Sequence, residues 1–240
     1  MAKIVTWSDN GRIENVNWVA HPGPQTLALS VAGIRELLFG GSRGPGKTDA
    51  GIMWMMKEPH ISNGNFRALI IRKNSTDLTD WCDRAERWFK YKGGVRSGNP
   101  PVFRFPSGAL FRTGHLKDKN AYDKYQGHEY QKMLIEELTQ IASELSYIKL
   151  LSSCRSTIPG LPAQLFATTN PGNVGHHWVK KRWGIGTRKP NVAYRIPQDG
   201  RLMMFIPATV TDNPTIMELD PSYKSFLESL PEPLRSAYRS

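Results

Sequence analysis

The sequence contains little cysteine and no long apolar run. Cys82 and Cys154 are its only cysteines, too few for a disulfide framework or a cysteine metal site. No stretch approaches the roughly 20 apolar residues that a membrane-spanning helix needs. The first residues also lack the apolar core of a signal peptide. These absences predict a soluble intracellular protein with no membrane partner.

Acidic residues are scarce relative to basic ones. The chain has 32 lysines and arginines against 21 aspartates and glutamates, a formal net charge of +11. Such an excess favours a polyanionic partner, although a basic enzyme without one is the alternative. The 39% hydrophobic and 22% charged residues are typical of a globular protein. Its 240 residues suffice for one large domain, or a domain with a small appendage.

The most specific motif spans residues 41–48, which read Gly-Ser-Arg-Gly-Pro-Gly-Lys-Thr, a complete G-x-x-x-x-G-K-T loop. An apolar strand is predicted before it, over 36–40, and a helix after it, over 48–57. Glycines let such a loop turn its backbone N–H groups towards phosphate oxygens. In this motif Lys47 would reach the β- and γ-phosphates, and the Thr48 hydroxyl would bind Mg²⁺. We therefore predict that a nucleoside triphosphate is bound by Gly41, Ser42, Arg43, Gly44, Pro45, Gly46, Lys47 and Thr48.

Arg43 lies inside this loop. Its guanidinium group would contact the γ-phosphate, or nearby acids, within the same chain. A solvated loop arginine is the alternative. On the functional interpretation, Arg43 belongs with Lys47 among the predicted catalytic residues.

Two adjacent acids, Glu136 and Glu137, follow a short apolar strand predicted at 132–135. Hydrolysis of a triphosphate needs one acid to support Mg²⁺ and a second group to orient the attacking water. We assign the metal role to Glu136 and the role of catalytic base to Glu137. A solvent-facing strand end is the alternative, but adjacent like charges are costly at the end of a buried strand.

Three polar residues, Thr168, Thr169 and Asn170, end another predicted strand at 164–169. Their functional interpretation is a γ-phosphate sensor that couples hydrolysis to movement. The alternative is ordinary turn chemistry, because Asn-Pro-Gly is a strong turn signal.

The chain alternates between predicted strands and helices, which indicates an α/β fold with a mainly parallel sheet and its active-site loops at the carboxyl ends of the strands. Residues 1–30 are predicted as a polar segment ending in a short helix at 25–30, and 102–112 as a hairpin. Further predictions are strands at 66–72 and 202–207 and helices at 78–90, 143–153 and 223–230. We divide the chain into a domain over 1–210 and a lid or linker segment over 211–240.

Basic residues form two clusters along the sequence. The second cluster interleaves with tryptophan and histidine, a mixture that could grip a nucleic-acid backbone. A solvated face is the alternative for either cluster. The first comprises Lys117, Lys119 and Lys124, and the second Lys180, Lys181, Arg182, Arg188 and Lys189.

Taken in order, several segments resemble the N-terminal ATPase domain of phage large terminase subunits. They are 21–25, 40–48, 69–72, 125–127, 134–140, 167–172, 177–180 and 211–214. The resemblance implies a RecA-like, additional-strand (ASCE) P-loop NTPase fold, with ATP and Mg²⁺ as cofactors. It also implies a DNA-packaging motor: a ring oligomer, expected to be a pentamer, at the procapsid portal in the host cytoplasm. The implied partners are double-stranded DNA, the portal protein and the small terminase subunit.

The resemblance assigns roles to individual residues. Gln25 becomes the adenine contact, Glu136 and Glu137 the paired acids, and residues 168–170 the coupling motif. Glu136 departs from the family, in which aspartate is usual. Some terminases also carry an arginine that reaches the neighbouring subunit's ATP, where this sequence has Gln126. We suggest Arg155 for that role.

A complete large terminase also has a C-terminal nuclease domain. The resemblance implies that this chain ends in the region leading to it, so no nuclease activity is expected from these 240 residues. Two other functions stay open: a RecA-like helicase or recombination ATPase, and a nucleotide-gated DNA-binding module with little hydrolysis of its own. A P-loop kinase is disfavoured, because adjacent acids suit water activation better than transfer to an acceptor.

Overall fold

A computed structural model describes residues 3–7, 13–117, 121–197, 199–232 and 235. Over these residues the chain forms eleven strands and seven α-helices. The strands are β1 (Lys3–Trp7), β2 (Ile13–Val19), β3 (Glu36–Gly41), β4 (Arg67–Arg72), β5 (Val95–Ser97), β6 (Val102–Arg104), β7 (Leu110–His115), β8 (Lys132–Ile135), β9 (Gln164–Thr169), β10 (Tyr194–Arg195) and β11 (Leu202–Ala208). The helices are α1 (Pro24–Ser30), α2 (Lys47–Met55), α3 (Asp77–Phe89), α4 (Glu144–Leu151), α5 (His176–Trp183), α6 (Pro214–Leu219) and α7 (Ser222–Ser229).

Nine strands form one sheet in the order β10-β11-β3-β9-β8-β4-β7-β6-β5. The six strands from β11 to β7 run parallel. Strand β10 pairs antiparallel with β11, β6 with β7, and β5 with β6. Strand β9 lies between β3 and β8. Because β3, β8 and β9 run parallel, the segments that follow them meet at one edge of the sheet. The predicted α/β fold is confirmed.

Apolar side chains cover both faces of the sheet. On β3, Leu37 and Phe39 belong to one core cluster, which contains residues of α2 and α3. Leu38 belongs to a second cluster, which contains residues of α4 and α5. Strands buried on both faces read as continuous apolar runs, which is why these strands could be predicted from the sequence.

Most predicted elements are confirmed within a few residues. The predicted strands at 36–40, 66–72, 132–135, 164–169 and 202–207 correspond to β3, β4, β8, β9 and β11, and the predicted helices at 48–57, 78–90, 143–153 and 223–230 to α2, α3, α4 and α7. The hairpin at 102–112 is β6 and β7.

The prediction for residues 1–30 was wrong in part. The short helix at its end is present as α1, but β1 and β2 precede it as a separate antiparallel hairpin. Several residues of β1 and β2 are β-branched or aromatic, types that favour strands, and the polar residues among them hid this signal. The predictions also missed α5, α6 and the short edge strands β5 and β10.

A 3₁₀ turn, Val210–Asp212, spans the start of the segment predicted from residue 211, and α6 and α7 follow it. Residues 233–234 and 236–240 of the predicted lid lie outside the described residues, as does Lys119. The boundary at residue 210 stays a prediction. In the part of the chain that the structure describes, no helix has the length and apolar character to cross a membrane.

Candidate functional site

The loop after β3 turns sharply into α2, which begins at Lys47. Gly44 and Gly46 adopt left-handed backbone conformations, with φ of 92° and 78°. The positive φ of Gly46 favours glycine there, and a Cβ atom at this position would also come within 2.7 Å of the Gln25 amide nitrogen. The first N–H groups of α2 have no partner within the helix and carry its positive dipole end.

A pocket of about 470 Å³ opens in front of this loop. That volume lies within the usual range for small-molecule sites, about 300–1,000 Å³. Four cationic side chains line it, so its field suits a polyanionic ligand. The lining residues are Arg43, Gly44, Pro45, Gly46, Lys47, Thr48, Asp49, Arg72, Arg84, Glu137, Gln140, Asn170, Asn213, Ile216 and Tyr223.

Lys47 is buried between the loop and the end of β9. Its Nζ donates to the Ser42 carbonyl oxygen at 2.5 Å and to Asn170 Oδ1 at 2.7 Å. Burial lowers the pKa of Lys47 to about 8, while the negative charges of Glu137 and Glu136 oppose that shift. The loop therefore holds the lysine side chain in a fixed position within the pocket wall.

Glu136 is buried directly beside the first turn of α2. Its Oε2 accepts hydrogen bonds from Thr48 Oγ1 and Thr168 Oγ1, both at 3.2 Å. Burial raises the pKa of Glu136, and the Arg72 guanidinium 3.8 Å away is the main opposing influence. Glu136 Oε1 is buried and has no hydrogen-bond partner among the described residues.

These groups fit Mg²⁺. In nucleotide sites this ion uses one or two carboxylates, with water and phosphate oxygens completing its shell. Glu136 offers a free carboxylate oxygen, and the Thr48 hydroxyl lies at hydrogen-bond distance from its other oxygen. The described residues contain no group of three or more histidines, cysteines or acids that could hold a metal. Phosphate and water would supply the remaining ligands, as they usually do for this ion.

Glu137 faces the pocket from an unusual backbone conformation. Its φ of 56° is in the left-handed region, which non-glycine residues rarely adopt. Its carboxylate accepts two hydrogen bonds from Asn170 Nδ2, at 2.8 and 2.7 Å. Its backbone N–H donates to Thr168 Oγ1 at 3.0 Å. Asn170 thus links the predicted base to Lys47, and Thr168 bonds to both acidic residues.

The predicted site residues Gln25, Thr169 and Arg155 do not line this pocket. Gln25 lies against the loop backbone: its amide donates to the Gly46 oxygen at 3.0 Å, and its side-chain oxygen accepts from His21 N at 2.6 Å. Thr169 packs against Gly40. Arg155 is 4.0 Å from Glu129, with 56% of its side chain exposed. It lies near the amino end of β8, at the opposite edge of the sheet. The adenine, coupling and trans-acting roles stay predictions.

Sequence reasoning missed several pocket residues. Arg72 ends β4, and a polar residue at a strand's carboxyl end is a signal that could have revealed it. Arg84 comes from α3 and forms a bidentate ion pair with Asp49, at 2.7 and 2.6 Å. Asn213 donates to the Gly44 carbonyl at 2.6 Å. Tyr223 reaches the pocket only through tertiary packing.

Comparison with solved structures shows what the chain is similar to. The large terminase from a thermophilic bacteriophage matches with a TM-score of 0.71 and 16% identity, covering 92% of this chain and 53% of that one. The Thermus phage P74-26 large terminase ATPase domain matches with a TM-score of 0.57 and 14% identity, covering 88% and 90%. This chain has the fold of a phage large terminase ATPase domain.

The resemblance stated from the sequence is therefore confirmed at the level of the fold. A structure of the same thermophilic bacteriophage large terminase in complex with ADP also matches, with a TM-score of 0.70, 15% identity, and 91% and 52% coverage. The chain spans about half the length of that large terminase. No family model and no curated protein matches the sequence.

Proposed function

We propose that this chain is the ATP-hydrolysing motor domain of a viral large terminase that translocates double-stranded DNA into a procapsid. The observation that carries the proposal is the hydrogen-bonded series Lys47–Asn170–Glu137 in the wall of a cationic pocket. The thermophilic bacteriophage terminase that shares this fold binds ADP, which supports a nucleotide as the ligand.

In this proposal the chain positions ATP for attack by water. The loop N–H groups and Lys47 bind the β- and γ-phosphates, with Arg43 beside them. Mg²⁺, held by Thr48 and Glu136, would neutralise charge on the phosphate oxygens. Glu137 accepts a proton from the attacking water, and Asn170 fixes the orientation of its carboxylate. Phosphate binding at Lys47 would alter its bond to Asn170, and Asn170 would transmit that change to the base.

Positive charge near α5 supports DNA as the partner. Residues 176–201 contain seven of the 32 basic residues and only one of the 21 acidic ones. Lys180, Lys181, Arg188 and Lys189 are exposed. Helix α5 begins six residues after Asn170, which would link this surface to the nucleotide site. In the first basic cluster, Lys117 and Lys124 are exposed.

The interpretation of the second cluster needs two corrections. Arg182 is mostly buried and donates to the carboxylate of Glu36, at 3.0 and 2.8 Å. Trp183 is buried in the core, and the Trp178 indole N–H donates to the Ile141 carbonyl at 2.7 Å. These residues fix α5 to the sheet, because Glu36, buried within β3, needs a cation. They do not form part of an exposed nucleic-acid surface.

We further propose that the domain acts as a ring oligomer, expected to be a pentamer, with the portal protein and small terminase subunit as partners, in the host cytoplasm. The exposed side chain of Arg155 would be available to a neighbouring subunit. No nuclease activity is expected from these residues. Magnesium- or manganese-dependent cutting of plasmid DNA would contradict that expectation.

The test measures Mg²⁺-dependent phosphate release from ATP against protein concentration, with and without double-stranded DNA. A rate per chain that rises steeply with concentration, and rises again with DNA, is expected of a motor completed by its neighbours. A flat, fast rate that is insensitive to DNA would contradict the ring. Nucleotide binding without phosphate release at any concentration would instead favour a nucleotide-gated DNA-binding module.

A further inference from the structure

Arg72 occupies a distinctive place in the pocket wall. It ends β4, next to β8, where the Glu136 N–H donates to the Ile71 carbonyl at 2.9 Å. Its side chain lines the nucleotide pocket and is 19% exposed. Arg72 therefore faces the ligand space from the side of the two acids.

The guanidinium group of Arg72 makes few contacts with the described residues. Its Nη1 is 3.8 Å from Glu136 Oε2, beyond hydrogen-bond distance. Its Nε is buried and has no hydrogen-bond partner among the described residues. A buried ion pair repays its desolvation only when good hydrogen bonds accompany it. The pairing with Glu136 alone thus does not account for an arginine at this position.

Two other cations in the pocket are already engaged. Arg84 makes two short hydrogen bonds to Asp49. Lys47 donates to Ser42 and Asn170. Arginine presents five N–H donors in a planar arrangement that matches phosphate oxygens. Arg72 is suited to take up a phosphate without giving up a side-chain hydrogen bond to any residue that the structure describes.

We propose that Arg72 is a catalytic residue that donates hydrogen bonds to the terminal phosphate of a bound nucleoside triphosphate. Glu136 keeps its hydrogen bonds from Thr48 and Thr168 when Arg72 engages the phosphate. A diphosphate lacks the group that Arg72 would contact, so Arg72 makes the pocket prefer ATP over ADP. This inference rests on the proposed function, because it needs a nucleotide in the pocket.

The experiment measures dissociation constants for fluorescent ADP and a fluorescent, non-hydrolysable ATP analogue, both with Mg²⁺. The wild-type chain should bind the ATP analogue more tightly. In Arg72→Gln that affinity should fall about 10- to 100-fold, the usual worth of hydrogen bonds to charged groups, while the ADP affinity changes less than about threefold. Arg87→Gln, an exposed arginine on α3, is the matched control and should leave both constants unchanged.

Each outcome decides a different point. Equal losses for both nucleotides would show that Arg72 only positions Glu136, and would overturn the proposal. If the wild-type chain binds both nucleotides equally and still hydrolyses ATP, the role of Arg72 is overturned and the proposed function stands. Wild-type chain that binds neither would contradict the proposed function itself. If Arg72→Gln does not fold, Arg72→Lys keeps the charge but loses the planar donors, and its ATP preference should fall at least severalfold.

Discussion

Asn170 donates to both carboxylate oxygens of Glu137, at 2.8 and 2.7 Å. The same side chain accepts a hydrogen bond from Lys47 Nζ at 2.7 Å. Asn170, which follows β9, thus connects the predicted phosphate-binding lysine to the predicted base. This single amide orients the Glu137 carboxylate and joins it to Lys47.

Replacing Asn170 by alanine should therefore slow hydrolysis more than it weakens binding. A general base contributes about 10²–10⁴-fold to the rate of a reaction. Without the amide that orients Glu137, kcat should fall at least about tenfold. The measurement is kcat and KM for ATP in Asn170→Ala, with the exposed Asn65→Ala as control. An unchanged kcat with a raised KM would show that Asn170 serves binding alone.

Arg182 should matter for stability. Glu36 is fully buried and pairs with Arg182 at 2.8 Å, while the Tyr147 hydroxyl donates to the same oxygen at 2.6 Å. Arg201 Nη1, 3.9 Å from Glu36 Oε1, would remain near the acid, so removing Arg182 should cost at most about the 3–5 kcal/mol of a broken buried pair. Arg182→Met should lower the free energy of unfolding in urea by up to about that amount.

The exposed neighbour Lys181 provides the control for this variant. Lys181→Met should change the free energy of unfolding by less than about 0.5 kcal/mol. Equal effects of the two substitutions would contradict a structural role for Arg182. A loss of DNA affinity in Lys181→Met alone would agree with the separate roles given to these neighbours.

His60 should make stability depend on pH. Burial and the nearby positive charge of Lys132 lower its pKa to about 4, although a hydrogen bond with the Pro162 carbonyl opposes the shift. In the unfolded chain the histidine pKa is about 6.5. Between about pH 6.5 and pH 4, His60 is therefore protonated in the unfolded chain and neutral in the folded chain. Stability is therefore fully present above about pH 6.5 and declines as the pH falls towards 4, by about 3 kcal/mol in total.

Urea unfolding at several values between pH 7 and pH 4 tests this prediction. His60→Gln should show a shallower decline than the wild-type chain over that range. His128→Gln, which changes an exposed histidine, should keep the wild-type slope. Parallel slopes for the wild-type chain and His60→Gln would assign the pH dependence to other groups.

The parts of the site that follow apolar strands directly could be predicted from the local sequence pattern. The predicted phosphate loop, the acids after β8 and Asn170 after β9 all follow apolar strands. A parallel sheet brings the ends of such strands together. Arg84 and Tyr223 could not be predicted, because they reach the pocket from helices whose placement depends on tertiary packing.

The interpretation of Arg182 failed for a physical reason that the sequence contains. Arg182 and Trp183 were assigned to a possible nucleic-acid surface from composition. However, Glu36 begins an otherwise apolar strand, and a buried acid needs a cation. The contacts of Gln25 could not be predicted from the sequence: its amide donates to the Gly46 carbonyl and accepts from the His21 N–H.

ATP turnover by Glu137→Gln, set beside nucleotide binding, tests the central claim most directly. The substitution keeps the size of the side chain but removes the base, so binding should persist while phosphate release falls about 10²-fold or more. Lys47→Ala, the companion variant, should lose turnover together with affinity. Turnover of Glu137→Gln at the wild-type rate would contradict the assignment of Glu137 as the base.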